Sequence, residues 1–95
     1  MSLSDNGLQN LKYMGFFNYT AVAGDVGTGG ASRNFPALST GLALTQTPIL
    51  MPTVTTATGA GAGGAVFVAV SNTQFHITTT ANTDLSVYKV HVFQE

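Results

Sequence analysis

The sequence predicts an all-β domain, an antiparallel β-sandwich or compact barrel with a short N-terminal helix or arm, and three observations carry that prediction. Apolar and polar residues alternate through FHITTT (75–80) and LSVYKVHVF (85–93), the spacing that puts successive side chains on opposite faces of a strand. The connections around these runs are short and rich in Gly, Asn, Ser and Thr, as in GAGAGG (59–64), SNTQ (71–74) and ANTD (81–84). Thr occurs 14 times, and its branched β-carbon favours extended backbone. A chain of 95 residues is one domain at most, divided on this reading into an arm or short helix over 1–14 and a single β domain over 15–95.

In SLSDNGLQNLKYMG, Ser4 or Asp5 can cap a helical turn, Leu8, Leu11 and Met14 fall three apart, and Gly15 is a stop. So short a segment has little stability of its own and needs a surface to lie on. FFNYTAVA (16–23) reads as a strand, with Phe17, Tyr19, Ala21 and Ala23 on one face and Phe16, Asn18, Thr20 and Val22 on the other. GDVGTGGAS (24–32) is a loop in which Asp25 can form an Asx-type turn, and Pro36 holds Phe35 extended. Leu42 and Leu44, alternating with Ala43 and Thr45, suggest a short strand. Pro48 and Pro52 have no N–H to give to a ladder, so Ile49-Leu50-Met51 belongs to an edge, a bulge or a crossing loop.

TVTTA (53–57) reads as a strand. AVFVAV (65–70) is apolar on both faces and is expected at the centre of its sheet or sandwiched against a second layer. Further on, Phe75, Ile77 and Thr79 share one face, and Ser86, Tyr88, Val90 and Val92 oppose Leu85, Val87, Lys89, His91 and Phe93. Turns this short imply that at least three of these strands are antiparallel neighbours. The Gly/Ala tract before AVFVAV is either a mobile hairpin tip or a surface that other backbone approaches closely.

Charged residues make up 7% of the chain, against about 25% in ordinary soluble domains. The fifty positions between Arg33 and Asp84 contain no Asp, Glu, Lys or Arg. A free monomer resists association by mixing charges over its surface, and that defence is nearly absent here. A hydroxylated, uncharged surface costs little to desolvate against a matching partner. The composition therefore points either to a subunit of a larger assembly or to a secreted, Thr-rich β domain.

Other classes are disfavoured. Lys12, Arg33 and Lys89 are far apart in sequence, which argues against nucleic acid. The absence of Cys excludes disulfides and thiolate metal sites, and no apolar stretch reaches the eighteen residues of a membrane span. Asp5, Asn6, Gln9 and Asn10 interrupt any leader-like apolar region. No catalytic constellation stands out: there is no GxSxG elbow, and neither GTGG (27–30) nor GAGAGG leads into a Lys-Ser/Thr phosphate loop. His76, His91 and Asp84 are the minimum for a metal triad, but their spacing is nonspecific and no metal or cofactor is expected.

Two binding surfaces follow. Leu8, Leu11, Tyr13, Phe16, Phe17 and Tyr19 form an aromatic and aliphatic cluster suited to an interface. Arg33, Asn82, Asp84 and Tyr88 can form a glycan or receptor site if their loops meet.

PTVTTATGAG followed by FVAVSNTQFHITTTANTDLSVYKVHVF, about residues 52–93, resembles in strand rhythm the small trimeric β-sandwich modules of phage virions, tail tips and H-type lectins. The final strand, VYKVHVF, lacks the Trp of the lectin pattern. The resemblance implies a structural virion protein, a capsid decoration or cement protein without enzymatic activity. Its partners would be other virion proteins, above all the major capsid protein, and copies of itself. The alternative it implies is a receptor- or glycan-binding module of a tail tip or secreted protein.

Overall fold

β5 (Gln74–Thr78) and β6 (Val87–Gln94) alternate most cleanly, and each occupies the centre of its own sheet. In this computed structural model, which describes residues 11–26 and 31–95, the first sheet has β6 between β1 (Lys12–Thr20) and β3 (Ile49–Thr56). The second has β5 between β2 (Ala31–Asn34) and β4 (Val66–Ala69). All four pairings are antiparallel. The two sheets pack as a small sandwich and stay separate, so the barrel alternative does not hold. Leu8, most of the expected N-terminal helix and the GTGG of 27–30 lie outside the described residues.

The inward rows are those the alternation selects: Tyr88, Val90 and Val92 from β6 face Phe75 and Ile77 from β5, all buried. Met14 and Phe17 of β1 and Phe67 of β4 complete the core with Ala21 and Leu38. Phe75 is its centre, with the rings of Phe35, Phe17 and Phe67 at 5.1, 5.2 and 6.0 Å. Pro52 sits on β3, an edge strand whose register shifts between Val54 and Thr56, in keeping with the edge or bulge its sequence demands.

Four expectations are corrected. Lys12, Tyr13 and Met14 belong to β1 and not to a helix, because Met14 is drawn into the core beside Phe17. Residues 42–45 form no strand; Thr45 N–H bonds the Gln94 side chain at 3.0 Å, and the segment crosses the end of the sandwich. β6 does not neighbour β5. The chain crosses to the other sheet because Leu85 N–H bonds the Thr58 carbonyl and Thr58 N–H bonds the Ser86 hydroxyl, which docks the 81–86 connection on the end of β3. Finally, β4 is an edge strand: only Phe67 reaches the core, while Val66, Val68 and Val70 are 57, 55 and 50% exposed. A two-layer sandwich has no third layer of its own to cover an apolar outer face.

The Gly/Ala tract makes the close approach, and makes it within its own chain. Gly59 has φ +84°, and a β-carbon there would lie 1.7 Å from the Thr83 carbonyl oxygen. The Tyr88 hydroxyl accepts the N–H groups of Gly63 and Ala65 at 3.1 and 3.4 Å, fastening the tract to β6.

Candidate interaction face

A β-bulge builds the most distinctive surface. Simple alternation would put Tyr13 on the same face as Phe17. The register of β1 against β6 shifts between Tyr13 and Gly15, so that Tyr13 stands opposite Phe93 and Phe16 opposite His91. Gly15 permits the bulge with φ +109°, and a β-carbon at this position would fall 2.7 Å from Ser39 Oγ. Both Tyr13 and Phe16 therefore point outward, while Met14 and Phe17 point in.

Three strands contribute rows to this outer face: Tyr13, Phe93 and Ile49, then Phe16, His91 and Met51, then Asn18, Lys89 and Thr53. Met51, Ile49 and Tyr13 are 56, 51 and 43% exposed, and Phe16, His91 and Phe93 are half-buried between their neighbours. The rings are pre-arranged: Tyr13 lies 5.2 Å from Phe93, and its hydroxyl is 2.8 Å from His91 Nδ1. Lys89 Nζ sits 4.5 Å above the Phe16 ring, so the ammonium group in these rows is held against an aromatic face. The result is an apolar and aromatic surface of two rows flanked by a polar one, and aromatic rings already packed on one another lose little entropy in a protein contact.

Of the six residues expected at an interface, Tyr13 and Phe16 lie on this face and Leu11 is half-buried just ahead of β1. Phe17 is a core residue, 3% exposed, and cannot meet a partner. Tyr19 is turned to a different task. Its hydroxyl donates to Asp25 Oδ2 at 2.8 Å and accepts from Arg33 Nε at 2.9 Å. Asp25 is fully buried and also takes the Val22 N–H and the Arg33 guanidinium, at 3.0 and 2.9 Å. Asp25, expected in an Asx-type turn, reaches back to the Val22 N–H and centres a bridge from β1 to β2. Sequence reading missed Ile49, Met51, His91 and Phe93, although the outward parity of His91 and Phe93 was already legible.

The second expected site does not assemble. Arg33 is committed to Asp25, and Asp84 and Tyr88 are buried together, 2.6 Å from oxygen to oxygen, with Asn82 exposed in the turn above them. Burial pushes the Asp84 carboxyl up, but hydrogen bonds from Tyr88 and Ser86 outweigh it and leave the group below the usual carboxylate range. Burial, then the hydrogen bond to Asp84, raises Tyr88; burial, then the bond to Asp25, raises Tyr19.

These shifts fix a pH dependence. Unfolded, Asp84 binds its proton more tightly than folded, so its contribution is complete above the ordinary value of about 3.9 and disappears as pH falls through the lower folded value. The two tyrosines hold their protons more tightly when folded. Their contribution is complete below about pH 10 and disappears as pH rises through the folded values. Thermal melting followed across pH should show a plateau between these limits and losses on both sides.

The two histidines lie on the outer faces of different sheets, His91 with Tyr13 and His76 with Ser32, whose Oγ is 2.9 Å from His76 Nε2. Asp84 is buried elsewhere, so the three do not converge. A groove of about 450 Å³ beside the 35–44 segment is lined by Phe35, Pro36, Leu38, Leu42, Leu44 and Asn72, with no ionisable side chain among its lining residues. No known protein family, curated protein or solved structure matches the chain.

Proposed function

We propose that this chain is a structural subunit of a larger assembly and, in its most specific form, a small virion protein that ties neighbouring shell subunits together. The observation that supports this reading is the outer face of the first sheet, where Tyr13, Phe16, Ile49, Met51, His91 and Phe93 form one apolar and aromatic surface. The resemblance of residues 52–93 to virion β-sandwich modules supplies the kind of assembly.

The mechanism is passive. An apolar patch of about 400 Å² contributes roughly 10 kcal/mol of burial at 25 cal/mol per Å². Association costs about 4–15 kcal/mol, so a single face roughly breaks even. Firm attachment then requires several contacts made at once, as a lattice provides. A chain with few charges to desolvate suits that role.

The test is occupancy. In particles purified from the source of this sequence, the chain is expected in fixed stoichiometry. Ile49→Lys or Met51→Lys should lower its occupancy at least about tenfold, because each would bury an unpaired ammonium group in the contact. Both positions are about half exposed, so the melting temperature of the isolated domain should move by no more than about 4 °C. Undiminished occupancy of both variants would refute the role of this face.

A further inference from the structure

We propose that the edge of β4 left unpaired among the described residues pairs with the β4 edge of a second copy about a two-fold axis through Val68. This contact uses a surface apart from the aromatic face, and it extends the assembly reading by naming one partner.

Val70 N–H bonds the Gln74 carbonyl at 3.0 Å, continuing the pairing in which Val66 faces Thr78 and Val68 faces His76. In an antiparallel pair, alternate residues aim both backbone groups at the same neighbour. Val66, Val68 and Val70 therefore aim theirs at β5, and Phe67 and Ala69 present N–H and C=O at the open side. β5 is the strand hydrogen-bonded to β4; β3, nearby, belongs to the other sheet.

The axis follows from parity. Residues directly opposite in an antiparallel pair point to the same face of the sheet. An axis between two residues would set inward Phe67 against outward Val68, so the axis passes through a residue. Through Val68, Phe67 pairs with Ala69 of the second copy and Ala69 with its Phe67, giving four backbone hydrogen bonds. The large inward ring meets a small methyl group. On the outer face Val68 meets Val68, and Val66 meets Val70, so that the three most exposed valines among the described residues pack side by side.

Charge permits the arrangement. A two-fold axis brings a residue against its own copy, so a fixed charge near it would be repelled. Residues 34–83 carry no Asp, Glu, Lys or Arg, and β4 has neither the lysine nor the proline that commonly blunts an edge. Because both copies use the same edge, the pair closes at two and does not grow into a fibre. A contact of five residues a side is smaller than the roughly 800 Å² per partner of a stable complex. The dimer of free protein should accordingly be weak and concentration-dependent.

Amide hydrogen exchange of the wild-type chain at about 10 µM and about 1 mM tests this. Exchange at Phe67 and Ala69 is expected to slow about three- to fivefold at the higher concentration, as the monomer fraction falls. Val68→Lys, a substitution at an exposed side chain, should abolish the change, while Met51→Lys should preserve it. Concentration-independent exchange at Phe67 and Ala69 would overturn the proposal, as would a Val68→Lys protein that retains the protection. Association that survives Val68→Lys but is lost in Met51→Lys would overturn the edge pairing and leave the aromatic face as the assembly surface.

Discussion

Asp84→Ala should destabilise the domain by about 3 kcal/mol, which for a chain of this size lowers the melting temperature by roughly 12–24 °C. The carboxylate is fully buried, yet both oxygens are engaged: the Tyr88 hydroxyl donates to one at 2.6 Å and the Ser86 N–H to the other at 3.1 Å. Removing it orphans both donors in the interior. The damage should spread, because the same Tyr88 oxygen holds the N–H groups of Gly63 and Ala65, and Ser86 holds Thr58. Asp84→Asn keeps an acceptor oxygen and should cost about half as much. Asp84→Ala should also reduce the loss of stability below about pH 3.9, since a carboxylate that favours the folded state is gone. Calorimetry at neutral and acidic pH reads both effects.

Gly59→Ala should cost about 3 kcal/mol although it adds one methyl group at an exposed position. Part of the cost is conformational, since φ +84° is a region L residues avoid. The rest is steric, because the new carbon would lie 1.7 Å from a backbone oxygen, that of Thr83, which cannot rotate away. Gly24→Ala provides the contrast: a β-carbon there meets nothing within 4 Å, and the change should stay within about 0.5 kcal/mol. Thr83 adjoins Asp84, so the double variant Gly59→Ala/Asp84→Ala should lose less than the sum of the single losses. Denaturant titration of the four proteins checks this.

Much of the fold was legible because alternation is a local property. The inward rows of β5 and β6 follow from Phe75-x-Ile77 and Tyr88-x-Val90-x-Val92 without knowledge of their partners. Partners are not local. The short ANTD connection reads as a hairpin, but the bonds of Thr58 to Leu85 and Ser86 carry the chain across to the other sheet, and a residue 28 positions away decides it.

The site was half legible for a similar reason. The aromatic run near the N-terminus is plain in the sequence, yet one residue of bulge at Gly15 determines which rings face out. It brings Tyr13 to the side of Phe16 and leaves Phe17 in the core. Gly within an aromatic strand was the available signal, read instead as the end of a helix. AVFVAV was apolar on both faces as its sequence says. It lies at the edge of its sheet and not at the centre, so Val66, Val68 and Val70 stay exposed, and position in a sheet is not a local property of the run.

The central claim is that surfaces so poor in charge are normally covered by other chains. Sedimentation equilibrium of the purified 9.8 kDa chain from micromolar to millimolar concentration tests it most directly. The account predicts an apparent mass that rises with concentration, with the rise reduced by Met51→Lys, by Val68→Lys or by both together. A constant 9.8 kDa species up to millimolar concentration, with no change in either variant, would contradict it.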